Sequence, residues 1–117
     1  MTGDGWDYIE GLAESHLVVE ESGAGSAKPK VQVLARLEGV TMVRLAFRAG
    51  DVMAEHSAGT PIVIMGQKGA VNVTIGDKSV TVTAGSALHI AERRIHALAA
   101  QEPAIVTLLI LTGAKNS

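Results

Sequence analysis

Imidazole is this chain's main resource for acid–base or metal chemistry. The sequence has four histidines, His16, His56, His89 and His96, and no cysteine, so thiolate metal sites, thiol nucleophiles and disulfides are excluded together. His56 closes the run Val52-Met53-Ala54-Glu55-His56, where two-residue alternation predicts that Val52, Ala54 and His56 share an otherwise apolar face. An imidazole on an inward face requires a hydrogen-bond partner, a metal or a pocket holding water. His96 follows the charged turn Glu92-Arg93-Arg94-Ile95. These two are the histidines whose local setting invites a chemical reading. His89, between Leu88 and Ile90, faces away from its apolar neighbours and reads as a partly exposed surface residue. His16 is expected to cap a helix end. Glu55 points away from His56 and reads as a solvated charge, not as its general base. Arg93 and Arg94 could attract a carboxylate if their turn rims a pocket mouth; a solvated turn is the plainer reading. Ser57, Ser79 and Ser86 lack a Gly-x-Ser-x-Gly elbow, which argues against a serine hydrolase.

The elements that must position these groups read mostly as strands. Val31, Val33 and Ala35 alternate with polar residues, as do Thr41, Val43, Leu45 and Phe47 with Met42, Arg44, Ala46 and Arg48. Residues 71–83 read as a hairpin, with Val71, Val73 and Ile75 facing Val80 and Val82 across Gly76-Asp77-Lys78. Shorter apolar runs at 61–65, 87–91 and 105–111 complete roughly eight strands, the pattern of a small all-β barrel or jelly roll. Ahead of them, Trp6, Ile9, Leu12 or Ala13, and Leu17 recur at helical spacing behind Asp4, which predicts a short N-terminal helix. The small-residue stretch 22–29 reads as a loop, so residues 1–30 are expected to form an arm and residues 31–117 the barrel.

Composition narrows the function classes. A chain of 117 residues that is 47% hydrophobic and carries a formal net charge of -2 makes one globular domain and is not disordered. Ten basic residues against twelve acidic ones offer no clustered positive charge for a nucleic acid. No apolar run approaches the length of a membrane span, and the acidic N-terminus does not read as a signal peptide, so a cytoplasmic location is the default expectation. Trp6, Tyr8 and Phe47 are the whole aromatic supply, too few for a stacking platform.

Residues 50–111 resemble the conserved barrel of the cupin superfamily. Gly50, His56 and Gly69 match the first cupin motif, and Gly85 and His96 match the second, with a hairpin of the right length between. The run His56-Ser57-Ala58-Gly59-Thr60-Pro61, followed by residues 62–69, is similar to short single-domain bacterial cupins that keep only the first histidine of the His-x-His pair. The resemblance implies an all-β double-stranded β-helix, a jelly-roll barrel. In its full form it also implies a divalent ion held by three imidazoles and a carboxylate, with open positions for substrate and O2. Here Ala58 stands in place of the second histidine and Ile62 in place of the glutamate, and residues 91–94 lack the Pro-x-Gly turn. The reading is therefore a small cupin-like barrel binding a small organic ligand, with His56 and His96 at the polar end of a pocket that Ala58 and Ile62 help to line. The alternative is a metal-dependent dioxygenase or isomerase with a reduced ligand set, in which His56 and His96 hold Fe, Mn, Ni or Zn. Short cupins usually pair, and the apolar strand 105–111 suggests a surface for a homodimer, with the arm packing on the partner.

Overall fold

The computed structural model describes residues 5–13 and 28–113. Nine strands follow one another in the second segment: β1 (Lys30–Leu37), β2 (Val40–Phe47), β3 (Val52–His56), β4 (Ile62–Lys68), β5 (Ala70–Ile75), β6 (Lys78–Thr83), β7 (Ala87–Ile90), β8 (His96–Ala99) and β9 (Ala104–Ile110). They form two antiparallel sheets, one in the order β1-β2-β9-β4-β7 and one in the order β3-β8-β5-β6. Strands that are neighbours in sequence often sit in opposite sheets, so the chain winds around a shared interior as a jelly roll does. Among the described residues no helix is long and apolar enough to cross a membrane.

Period-two patterning builds the interior. In the larger sheet Val43, Leu45 and Phe47 of β2 pair with Leu108, Val106 and Ala104 of β9, and Ile64 and Ile62 of β4 pair with Leu108 and Ile110. In the smaller sheet Val71 and Val73 pair with Val82 and Val80. Most of these side chains are buried and belong to one apolar core. The 71–83 hairpin takes the expected pairing, closed by a two-residue turn at Gly76-Asp77, with Gly76 at φ 62°.

The structure departs from the sequence reading in three places. Residues 5–13 are not helical: Gly5 and Gly11 take φ of 93° and 77°, a left-handed backbone that a right-handed helix cannot include. Leu17, His16 and most of the 22–29 loop lie outside the described residues. The second departure is β8, which the sequence does not announce because Ala97 and Ala99 offer no polar contrast to His96 and Leu98. The third is β9. It lies between β2 and β4 with Ala104, Ile105, Val106 and Thr107 buried, so of the apolar surface expected of residues 105–111 only the half-buried 108–111 remain accessible.

Segment 5–13 is anchored to the outer side of the larger sheet. Arg44, buried on that side, donates from Nη2 to the Gly11 carbonyl at 2.7 Å and from Nη1 to Gln32 Oε1 at 3.1 Å. The contact gives an irregular segment a fixed place that its own sequence does not impose.

Candidate functional site

Two crossovers between the sheets build the site. The loop from His56 to Pro61 carries the chain from β3 to β4, and residues 91–95 carry it from β7 to β8. Both lie at one end of the barrel, and the Arg93 backbone N–H joins them by donating to the Ala58 carbonyl at 2.8 Å. The end of β3 and the start of β8 therefore meet, with His56 directly opposite His96.

A register shift between Met53 and His56 decides which way His56 faces. Strict alternation would put it with Val52 and Ala54. With the extra residue of the bulge it instead joins the inward side with Met53, whose partner Leu98 is buried, while Val52 is exposed. The imidazole rings of His56 and His96 lie edge to face, with centroids 4.4 Å apart and planes at 63°. His96 is 2% exposed; His56 is open to solvent.

Each ring is held in the same way. His56 Nδ1 lies 2.8 Å from the Ala54 carbonyl and His96 Nδ1 lies 2.9 Å from the Arg94 carbonyl. A carbonyl oxygen only accepts, so in both rings Nδ1 carries the proton and donates. In the neutral ring Nε2 then keeps its lone pair, and no group among the described residues hydrogen-bonds to it. Burial holds the His96 imidazole below its ordinary range, with a smaller push from the charge of His56 and an opposing pull from the Arg94 carbonyl. The site thus presents two acceptor nitrogens on neighbouring rings, one of which resists protonation.

Register places Ile75 of β5 beside His96, and Met53, Ala58, Ile75, Leu88, Leu108 and Ile110 are half-buried against the core. At the other end of the barrel Leu45, Phe47, Val71, Ala104 and Val106 are fully enclosed. Among the expected site residues, His56, His96 and Ala58 come together at the open end. Ile62 is buried in a row with Ile90 and Ile110, so it supports the wall from the core side. His89 points outward and is exposed, as expected, and so is Glu55. Ile75 was missed because its place depends on the β5–β8 pairing, which the sequence does not reveal.

No family model and no curated protein matches the sequence. Solved structures do match the fold. A cupin superfamily protein from Desulfitobacterium hafniense superposes with a TM-score of 0.70 at 16% identity, covering 90% of this chain and 98% of its own. An RmlC-like cupin from Desulfovibrio desulfuricans gives a TM-score of 0.66 at 19% identity, covering 73% of this chain and 83% of its own. A cupin-2 domain containing protein from Shewanella frigidimarina gives 0.62 at 17% identity, over 68% and 78% of the two chains. The chain has the cupin fold. Within that fold the donor set does not fit the four-ligand metal site that the resemblance implies. Ala58 and Ile62 bring aliphatic groups where an imidazole and a carboxylate would be needed, and no three His, Asp or Glu side chains cluster among the described residues. Two neutral imidazoles alone do not offset the charge of a dication.

Proposed function

We propose that this cupin barrel binds a small, largely aliphatic organic molecule at its open end, with His56 and His96 accepting hydrogen bonds from a hydroxyl or amide donor of the ligand. One observation carries the reading: both Nδ1 atoms are committed to backbone carbonyls, which leaves the Nε2 of each ring, in a pair with centroids 4.4 Å apart, as an acceptor. Ile75, beside His96 in register, and Ala58 of the adjoining crossover are half-buried and suit an apolar ligand body. Burial of His96 favours its neutral, accepting form.

The test is a titration of the protein with short aliphatic alcohols, read by calorimetry, beside the variant His56→Ala and a metal analysis of protein purified without chelator. The proposal predicts saturable binding that His56→Ala loses, and metal well below one equivalent. The second reading, a metal-dependent dioxygenase or isomerase, rests on the same two nitrogens as ligands for Fe, Mn, Ni or Zn. One equivalent of metal in the wild type, absent from His56→Ala, would support it and overturn the proposal.

A further inference from the structure

Eight described residues have a left-handed backbone. Seven are glycines, Gly5, Gly11, Gly39, Gly50, Gly69, Gly76 and Gly85; the eighth is Arg93, at φ 63°. A residue with a Cβ is strained in this conformation, and such strain tends to persist where the side chain is needed. At every other position of this kind the chain uses the residue that relieves the strain. At Arg93 it keeps a guanidinium.

The location of Arg93 points to the reason. Its N–H holds the Ala58 carbonyl, so it sits on the seam between the two crossovers, and its neighbour Arg94 supplies the carbonyl that orients His96. The Arg93 side chain is 72% exposed, and its one ion pair is to the adjacent Glu92, whose side chain is 47% exposed, at 3.2 Å. An exposed pair of this kind is weak and exchangeable. No second carboxylate competes for the guanidinium among the described residues.

We infer that Arg93 is the anion-recognition residue of the open end, so that the ligand is an aliphatic hydroxy acid. Its carboxylate takes the place of Glu92 on the Arg93 guanidinium, its hydroxyl donates its one proton to a histidine Nε2, and its alkyl portion meets the half-buried Ile75 and Ala58. The inference rests on the binding function proposed above and specifies the chemistry of its ligand.

The experiment compares β-hydroxyhexanoate with its uncharged amide, by calorimetry, on the wild type and on Arg93→Gly, Arg93→Lys and Glu92→Gln. The wild type is expected to bind the acid about tenfold tighter than the amide. Arg93→Gly should lose that preference, keep amide binding and melt at a higher temperature because the backbone strain is relieved. Arg93→Lys should keep part of the preference. Glu92→Gln should tighten the acid by up to about fivefold and leave the amide unchanged, because a competitor has been removed. Equal binding of acid and amide by the wild type, or an acid preference that survives Arg93→Gly, overturns the inference and leaves the binding function standing. A lower melting temperature for Arg93→Gly also overturns it, because the side chain would then be structural. If neither compound binds the wild type, the binding function and the inference fall together.

Discussion

His96 is buried and its partner His56 is exposed, so the two rings answer to different tests. For His96, burial lowers the folded-state pKa below 6.5, the ordinary value that the unfolded chain retains. Between those two values the unfolded state binds more protons, so stability is full above about pH 6.5 and falls as the pH drops toward the folded value. The drop in His96→Asn, compared with the wild type by urea unfolding at stepped pH, should be smaller in that window. A parallel pair of curves would contradict the assignment. For His56, truncation removes an exposed ring and one hydrogen bond, so His56→Ala should change stability by no more than about 1 kcal/mol while removing ligand binding. The meeting of His56 and His96 was foreshadowed by the resemblance of residues 50–111 to the cupin motifs, whereas alternation alone put His56 on the wrong face. Their shared tautomer was not legible, because it depends on where the Ala54 and Arg94 carbonyls lie. The strain at Arg93 was also hidden, since Glu92-Arg93-Arg94 reads as an ordinary charged turn and side-chain pattern carries no record of φ.

Among the elements, the 71–83 hairpin was the most readable, since alternation and a Gly-Asp turn state its pairing locally. The N-terminal helix fails for an equally local reason: Gly5 and Gly11, already poor helix formers, are used here for their left-handed freedom. The bulge in β3 was invisible, although it turns His56 toward the interior, because a bulge is a relation between two strands. Gly66 shows a similar dependence on pairing. Its N–H donates to Ser86 and its carbonyl accepts from Gly85, so β4 and the β6–β7 turn approach too closely for a side chain. A Cβ there would collide with the Thr83 carbonyl. Gly66→Ala should therefore destabilise the fold by about 1–3 kcal/mol, measured by chemical denaturation; an unchanged midpoint would show that the β4–β6 seam is looser than described.

The scarcity of aromatic residues makes sense for the whole molecule. Two sheets facing at close range are filled by Val, Leu and Ile with a single buried Phe, and the aliphatic excess of the composition becomes the interior of a sandwich. The all-β class and the jelly-roll reading were accessible from regular strand spacing and from the resemblance of residues 50–111. The order of the strands was not, because it is set by contacts distant in sequence. That order also moves the expected homodimer surface. With β9 central, the edge strand β1 offers an open apolar surface among the described residues, where Val31 is 57% and Val33 41% exposed. Sedimentation equilibrium at micromolar concentration is expected to give twice the chain mass, and Val33→Lys should shift the protein toward monomer; monomer mass in the wild type would contradict this.

The central claim is that the two histidine Nε2 atoms receive the ligand. It is tested most directly by long-range proton–nitrogen NMR of 15N-labelled protein, recorded with and without β-hydroxyhexanoate. The account predicts that the free protein shows both His56 and His96 protonated at Nδ1 with bare Nε2, and that the ligand moves the Nε2 signal of the ring that accepts its hydroxyl proton. Saturable binding that leaves both signals unmoved, or a free protein with either ring protonated at Nε2, would contradict it.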